Sequence, residues 1–111
     1  MMVTMHALHA LAYIALRLSP PLVAKRVVDT IGRRLSTLSD DTEALDVSRR
    51  LQPFGTCLSR SIAVASRLRD AKVVIGVTPV GRTALHAHAW VEHRGVPLQR
   101  GEDVGQVIAR L

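Results

Sequence analysis

Near Lys72 the spacing of apolar residues changes, and that change limits what this chain can fold into. Before it, apolar positions recur at helical intervals; after it, they alternate with a period of two. Helices followed by a small antiparallel sheet make an α+β layout. With 111 residues the chain is long enough for one domain and a modest core. A single unit over 1–111 is expected, with 1–52 as a helical part and 53–111 carrying the chemistry described below.

The helical part divides at its breakers. Thr4 to Leu18 reads as a first helix, with Leu8, Leu11 or Ala12, and Ala15 near helical spacing, and Ser19-Pro20-Pro21 ends it. A second is expected from Leu22 to about Leu38, with Val23, Val27, Ile31, Leu35 and Leu38 on one face. Ser39 or Asp40 can cap a third, which Pro53 and Gly55 stop. A fourth opens at Thr56 or Cys57 and buries Leu58, Ile62, Ala65 and Leu68 at i, i+4, i+7, i+10 spacing.

Beyond the change, Lys72 to Val77 is a β-branched run, and Pro79 and Gly81 mark a turn. Leu85 to Glu92 alternates. His86, His88, Trp90 and Glu92 share one face; Leu85, Ala87, Ala89 and Val91 share the other. His93-Arg94-Gly95 is read as a hairpin turn and Val96 to Gln99 as the return strand. Val104 to Leu111 carries weak helical spacing.

Charge narrows the function classes. The net charge is +6, but residues 1–38 hold five Lys/Arg against one acid, and 39–52 hold four acids against two arginines. No run of like charge reaches five and only single aromatics interleave, so the pattern is not that of a dedicated nucleic-acid binder. A lone cysteine excludes an internal disulfide and suits a reducing cytoplasm. Met1–Leu16 is apolar but short for a membrane span and lacks the basic start of a secretory signal. It reads as a helix that packs on a partner or touches a membrane.

Two segments stand out chemically. One is Gly55-Thr56-Cys57-Leu58-Ser59-Arg60-Ser61; the other is the strand Ala87-His88-Ala89-Trp90-Val91-Glu92. A thiol at a helix N-terminus meets unpaired N–H groups and a positive partial charge, which favour the thiolate nucleophile. Small residues just before it let a substrate backbone approach. A thiol nucleophile also needs a proton acceptor, and a histidine fixed by a strand's pleat is suited to that. His86 and His88 lie on one face with Cα atoms roughly 6.6 Å apart, so only one can meet Cys57 squarely, and periodicity does not choose. Against this stands the plain reading: a buried cysteine acting as a small hydrophobe, beside a strand histidine satisfied within its sheet.

Neighbouring residues have humbler readings. Cys57, His86 and His88 lack a fourth zinc ligand, since His6 and His9 belong to a distant helix and His93 to a turn. No metal and no cofactor is expected. Trp90 packs or covers the site, and Glu92 is solvated or pairs with an arginine. Arg60 and Arg67 form a solvated face, or else contact an acidic part of a substrate.

Gly-x-Cys-Leu-x-Arg-Ser-Ile-Ala at Gly55–Ala63, followed by Ala87–Glu92 and Gly95, resembles the transglutaminase-like leader peptidases of lasso-peptide biosynthesis. The upstream apolar helix, the Leu-Ser-Pro-Pro break and the basic amphipathic helix are also similar, so the resemblance covers about residues 10 to 104. It implies a papain/transglutaminase-like fold, Cys57 as nucleophile and His88 as general base and acid. His86, Arg60 and Trp90 would contact substrate. The implied reaction removes the leader from a ribosomally made precursor, freeing an amine for a separate ATP-dependent lasso cyclase. A separate leader-recognition protein would deliver the precursor. Family members carry an acidic orienter about twelve residues after the histidine; here that position is Arg100, which cannot accept a hydrogen bond. Gln99, Glu102 or Asp103 would have to substitute, with Asp103 taken as third member, or the pair acts as a dyad. The rival readings are a non-catalytic precursor-binding scaffold and a small basic module for nucleic acid or membrane.

Overall fold

Among the described residues four helices precede four strands, in the order the apolar spacing demands. The computed structural model describes residues 2–35, 38, 41–52, 54–80, 84–98 and 106–111. The helices are α1 (Met2–Leu18), α2 (Pro21–Gly32), α3 (Asp41–Leu51) and α4 (Cys57–Ala65); the strands are β1 (Ala71–Val80), β2 (Ala84–His93), β3 (Val96–Pro97) and β4 (Gln106–Arg110). The sheet is antiparallel with order β3-β2-β1-β4.

The core is aliphatic and lies between the helices and one face of the sheet. Met5 and Leu8 of α1, Val47 and Leu51 of α3, and Ile62 and Val64 of α4 meet Val73 of β1 and Val91 of β2. Val73 and Val91 are register partners, so they point to the same side of the sheet. Helix α4 is central, with six of its nine residues buried. Ile62, Ala65 and Leu68 are buried as their spacing requires, and Leu58 packs partly against the same cluster. Leu68 lies beyond the helix end.

Helix α2 corrects the sequence reading twice. It ends at Gly32, short of Leu38, and its buried face is Ala24, Val28 and Gly32. Val23, Val27 and Ile31 stay 42–44% exposed. The reason is the closeness of packing. A Cβ on Gly32 would lie 2.5 Å from Ser66 Oγ and 2.7 Å from its carbonyl oxygen, so the contact with the end of α4 selects small residues. Bulky apolar residues fall on the flank. Leu38 is buried, but outside a helix, where its N–H bonds the Arg67 carbonyl at 2.8 Å.

The strands differ from expectation in extent. β1 continues through Pro79, which pairs with Leu85. Among the described residues β4 pairs only with Val74–Val77, which leaves Pro79 on an edge of β1 where a missing donor costs nothing. The hairpin turn has two residues, Arg94 at φ 55° and Gly95 at φ 84°, the left-handed pair of a type I′ turn. The return strand is only Val96–Pro97, with Gln99 outside the described residues. Gln106–Arg110 is a strand, contrary to the helical reading of the tail: its exposure alternates, and it pairs with β1. Ser39, Asp40, Pro53 and Gly81 also lie outside the described residues.

Candidate active site

The N-terminus of α4 is built by its own sequence. Thr56 is the N-cap: its hydroxyl accepts from Ser59 N–H at 3.1 Å, and Ser59 Oγ accepts from Thr56 N–H at 3.0 Å. This reciprocal cap holds Cys57 as the first helical residue. Arg60 N–H bonds the Thr56 carbonyl, so the first-turn N–H groups of Cys57 and Leu58 are the ones left pointing out of the helix end.

The preceding residue fixes how the chain arrives. Gly55 has φ 66°, a left-handed conformation that glycine takes without penalty. A Cβ there would sit 2.7 Å from Ser59 Oγ and closer still to His9 Nε2. The Arg60 guanidinium donates to the Phe54 carbonyl at 2.9 Å and ties the loop to the helix it leads into.

His9 was read from the sequence as remote, and the structure overturns this. It is buried on α1 with Nε2 2.7 Å from Ser59 Oγ. Ser59 also donates to the Thr56 carbonyl at 3.0 Å. A hydroxyl has one proton and two acceptor sites. Every contact is satisfied when Ser59 donates to Thr56 and accepts from Thr56 N–H and His9 Nε2–H. His9 thus supports the cap from the opposite helix. Burial, Arg60 and His6 hold its pKa below the ordinary 6.5. The long-range link carries no sequence signal, whereas Thr56-x-x-Ser59 is a cap pattern visible along the chain.

The thiol lies against the sheet edge. Ala89 N–H donates to Cys57 Sγ at 3.3 Å. Val91, two residues along β2, turns its carbonyl toward Leu98 on the β3 side, so Ala89 faces the same edge. Among the described residues β3 pairs only with Glu92 and His93, and the sulfur takes the place at Ala89 N–H that a strand partner would fill. This puts Cys57 one residue from His88 along β2. Cys57 and His88 line one cavity of about 570 Å³, together with Trp90, Arg60, Gly55 and Thr56.

His88 and Trp90 share a strand face, with ring centroids 5.9 Å apart and planes at 86°. Trp90 is 5% exposed. The side chain of His86 lies outside what is described; its backbone pairs with Thr78. Gln99, Arg100, Glu102 and Asp103 lie outside the described residues. Glu92 pairs with Arg110 at 3.5 Å, the arginine-paired alternative of the sequence reading. Arg67 departs from the solvated face assigned to it: it is buried, past the end of α4. Among the described residues no cluster of three His, Cys, Asp or Glu could hold a metal. Among the described residues no helix is long and apolar enough to cross a membrane.

The family model of the transglutaminase-like superfamily matches residues 1–109. The chain belongs to this superfamily. No curated protein and no solved structure matches the chain. A transglutaminase-like domain accounts for the α+β order and for a cysteine heading the helix that packs on an antiparallel sheet. The superfamily typically carries cysteine protease or transferase chemistry. A larger cavity, about 620 Å³, lies at the other end of α4 among Lys25, Asp29, Arg33, Arg67 and Arg69. It holds no thiol, so the smaller cavity at Cys57 is the better candidate for cysteine chemistry.

Proposed function

We propose that the chain is a cysteine peptidase that removes the leader from a ribosomally made lasso-peptide precursor. The observation that carries this is the Cys57 thiol, which heads α4, accepts Ala89 N–H and shares one cavity with His88. In the proposed reaction the sulfur attacks the scissile carbonyl and forms a thioester with the acyl part. The Cys57 and Leu58 N–H groups stabilise the oxygen's negative charge. His88 takes the thiol proton and delivers it to the leaving amine, then draws a proton from the water that cleaves the thioester. Arg60, Trp90 and His86 would contact the substrate, and Asp103 would orient His88 if the pair has a third member. A leader-recognition protein presents the precursor, and an ATP-dependent cyclase uses the freed amine.

Mixing the chain with a lasso precursor and its recognition protein tests this, with mass spectrometry following leader release. Release by the wild type and none by Cys57→Ala supports the proposal; release that survives Cys57→Ala overturns it. One sequence feature favours a second reading, a non-catalytic precursor-binding member. Arg100 stands where the family carries an acid. In that case the precursor binds and stays whole.

A further inference from the structure

The thiol cavity has a neighbour. A second cavity of about 510 Å³ lies between α1 and the loop leading into α4, lined by His6, Tyr13, Ile14, Phe54, Gly55 and Thr56. Gly55 and Thr56 line both cavities, so the two meet at this stretch of the loop. Three features of the second cavity point to an occupant.

The first is the placement of aromatic rings. The chain has one Trp, one Tyr and one Phe. Trp90 lines the thiol cavity, and Tyr13 and Phe54 line its neighbour. The core cluster is aliphatic apart from Met5. The chain's aromatic surface is thus confined to the two cavities, and aromatic side chains are the usual anchors of recognition surfaces.

The second is that these groups are held outward. Phe54 is 61% exposed and Ile14 54%. Phe54 is nevertheless fixed: its carbonyl accepts from Arg60, and its ring meets His6 edge-on with centroids 6.0 Å apart. Tyr13 is held from the other side by Arg17, which lies 5.9 Å over its ring. An ordered apolar wall exposed to water gains from being covered.

The third is reach and charge. Gly55 and Cys57 are two residues apart, so their Cα atoms are at most about 7 Å from each other, a span that about two residues of extended peptide cover. The lining residues include no carboxylate, and Arg17 and Arg60 adjoin them, so the cavity does not suit a cationic side chain.

We propose that this second cavity binds a bulky apolar or aromatic side chain of the peptide substrate, two to three residues from the scissile bond. The assignment rests on the peptidase reading for the meaning of the site. The peptide crosses Gly55–Thr56 with its reacting carbonyl at Cys57 and its anchoring side chain between Tyr13 and Phe54.

Binding separates this inference from the chemistry. Fluorescein-labelled peptides in which each of three positions on either side of one bond is Phe, Leu, Gly, Asp or Lys are titrated against the Cys57→Ala chain, with anisotropy as the readout. At one of these positions Phe or Leu binds on the order of tenfold tighter than Gly or Lys. Adding Phe54→Ala or Tyr13→Ala brings that ratio to about threefold or less. Ile108→Ser on the exposed face of β4 leaves it unchanged. Affinity indifferent to side chain at every position overturns the proposal, as does a preference intact in both aromatic variants, whether or not the wild type cleaves. If selective binding holds but the Cys57-bearing chain cleaves none of the peptides, the cavity assignment stands and the peptidase reading is lost.

Discussion

The two ends of α4 solve the same packing problem in opposite ways. Each lies against a glycine with no room for a side chain: Gly55 at the N-terminal end, against His9 and Ser59, and Gly32 at the C-terminal end, against Ser66. At the C-terminal end the glycine belongs to another helix and brings two helices together. At the N-terminal end it sits in the loop leading into the helix, in a left-handed conformation. That loop is buried on one side and open on the other. The first arrangement closes the core; the second fixes the backbone around a thiol without covering it. Rigidity at a reactive centre here comes from a cap supported from behind.

Substitutions at the two ends should separate stability from reactivity. The largest effect is expected for Gly55→Ala, which combines a disfavoured φ with a clash and should cost roughly 2–4 kcal/mol in urea unfolding. It should also slow modification of Cys57, because the cap moves with the loop. Gly32→Ala should cost about 1–3 kcal/mol by overpacking against Ser66 but leave the rate of thiol modification within about twofold of wild type. Equal loss of reactivity in both would show that the ends are not independent.

His9→Ala should cost about 1–3 kcal/mol, because it leaves Ser59 short of a buried partner. His9 also gives the N-terminal end a pH signature. Its folded pKa lies below the ordinary 6.5, owing first to burial and then to Arg60 and His6. Between the folded value and 6.5 the unfolded chain binds more protons, so stability rises with pH across that window and is lost as pH falls through it. Unfolding curves between pH 7 and 5 should show this slope in the wild type and less of it in His9→Gln. An unchanged slope removes His9 as its source. Thr56→Ala should cost about 1 kcal/mol as a lost N-cap. The exposed Arg50–Asp46 pair marks the floor of the scale, with Arg50→Ala within about 0.5 kcal/mol of wild type.

Local pattern made much of the fold legible. The buried stripe of α4, the strand at β2 and the break after α1 are properties of neighbouring residues, and local pattern reports them directly. It failed where contacts between distant segments decide. Val23, Val27 and Ile31 make the more apolar stripe, but the close approach of Gly32 to Ser66 turned Ala24 and Val28 inward instead. The last strand is short and edge-paired, so its spacing could be mistaken for a helix turn. Cys57 and the β2 histidines stood out because chemistry-bearing residues are few here; the resemblance, not the spacing, preferred His88 over His86, and Cys57 and His88 line one cavity. The support from His9 was not legible, because nothing along the chain links positions 9 and 59.

The proposed chemistry requires that Cys57 and His88 act on one another. The most direct measurement is the rate of Cys57 alkylation by iodoacetamide at neutral pH, followed by intact mass in the wild type and in His88→Ala. The wild type should react at least about tenfold faster than free cysteine, and His88→Ala should remove most of that advantage. Slow alkylation at the same rate in both proteins would contradict that requirement.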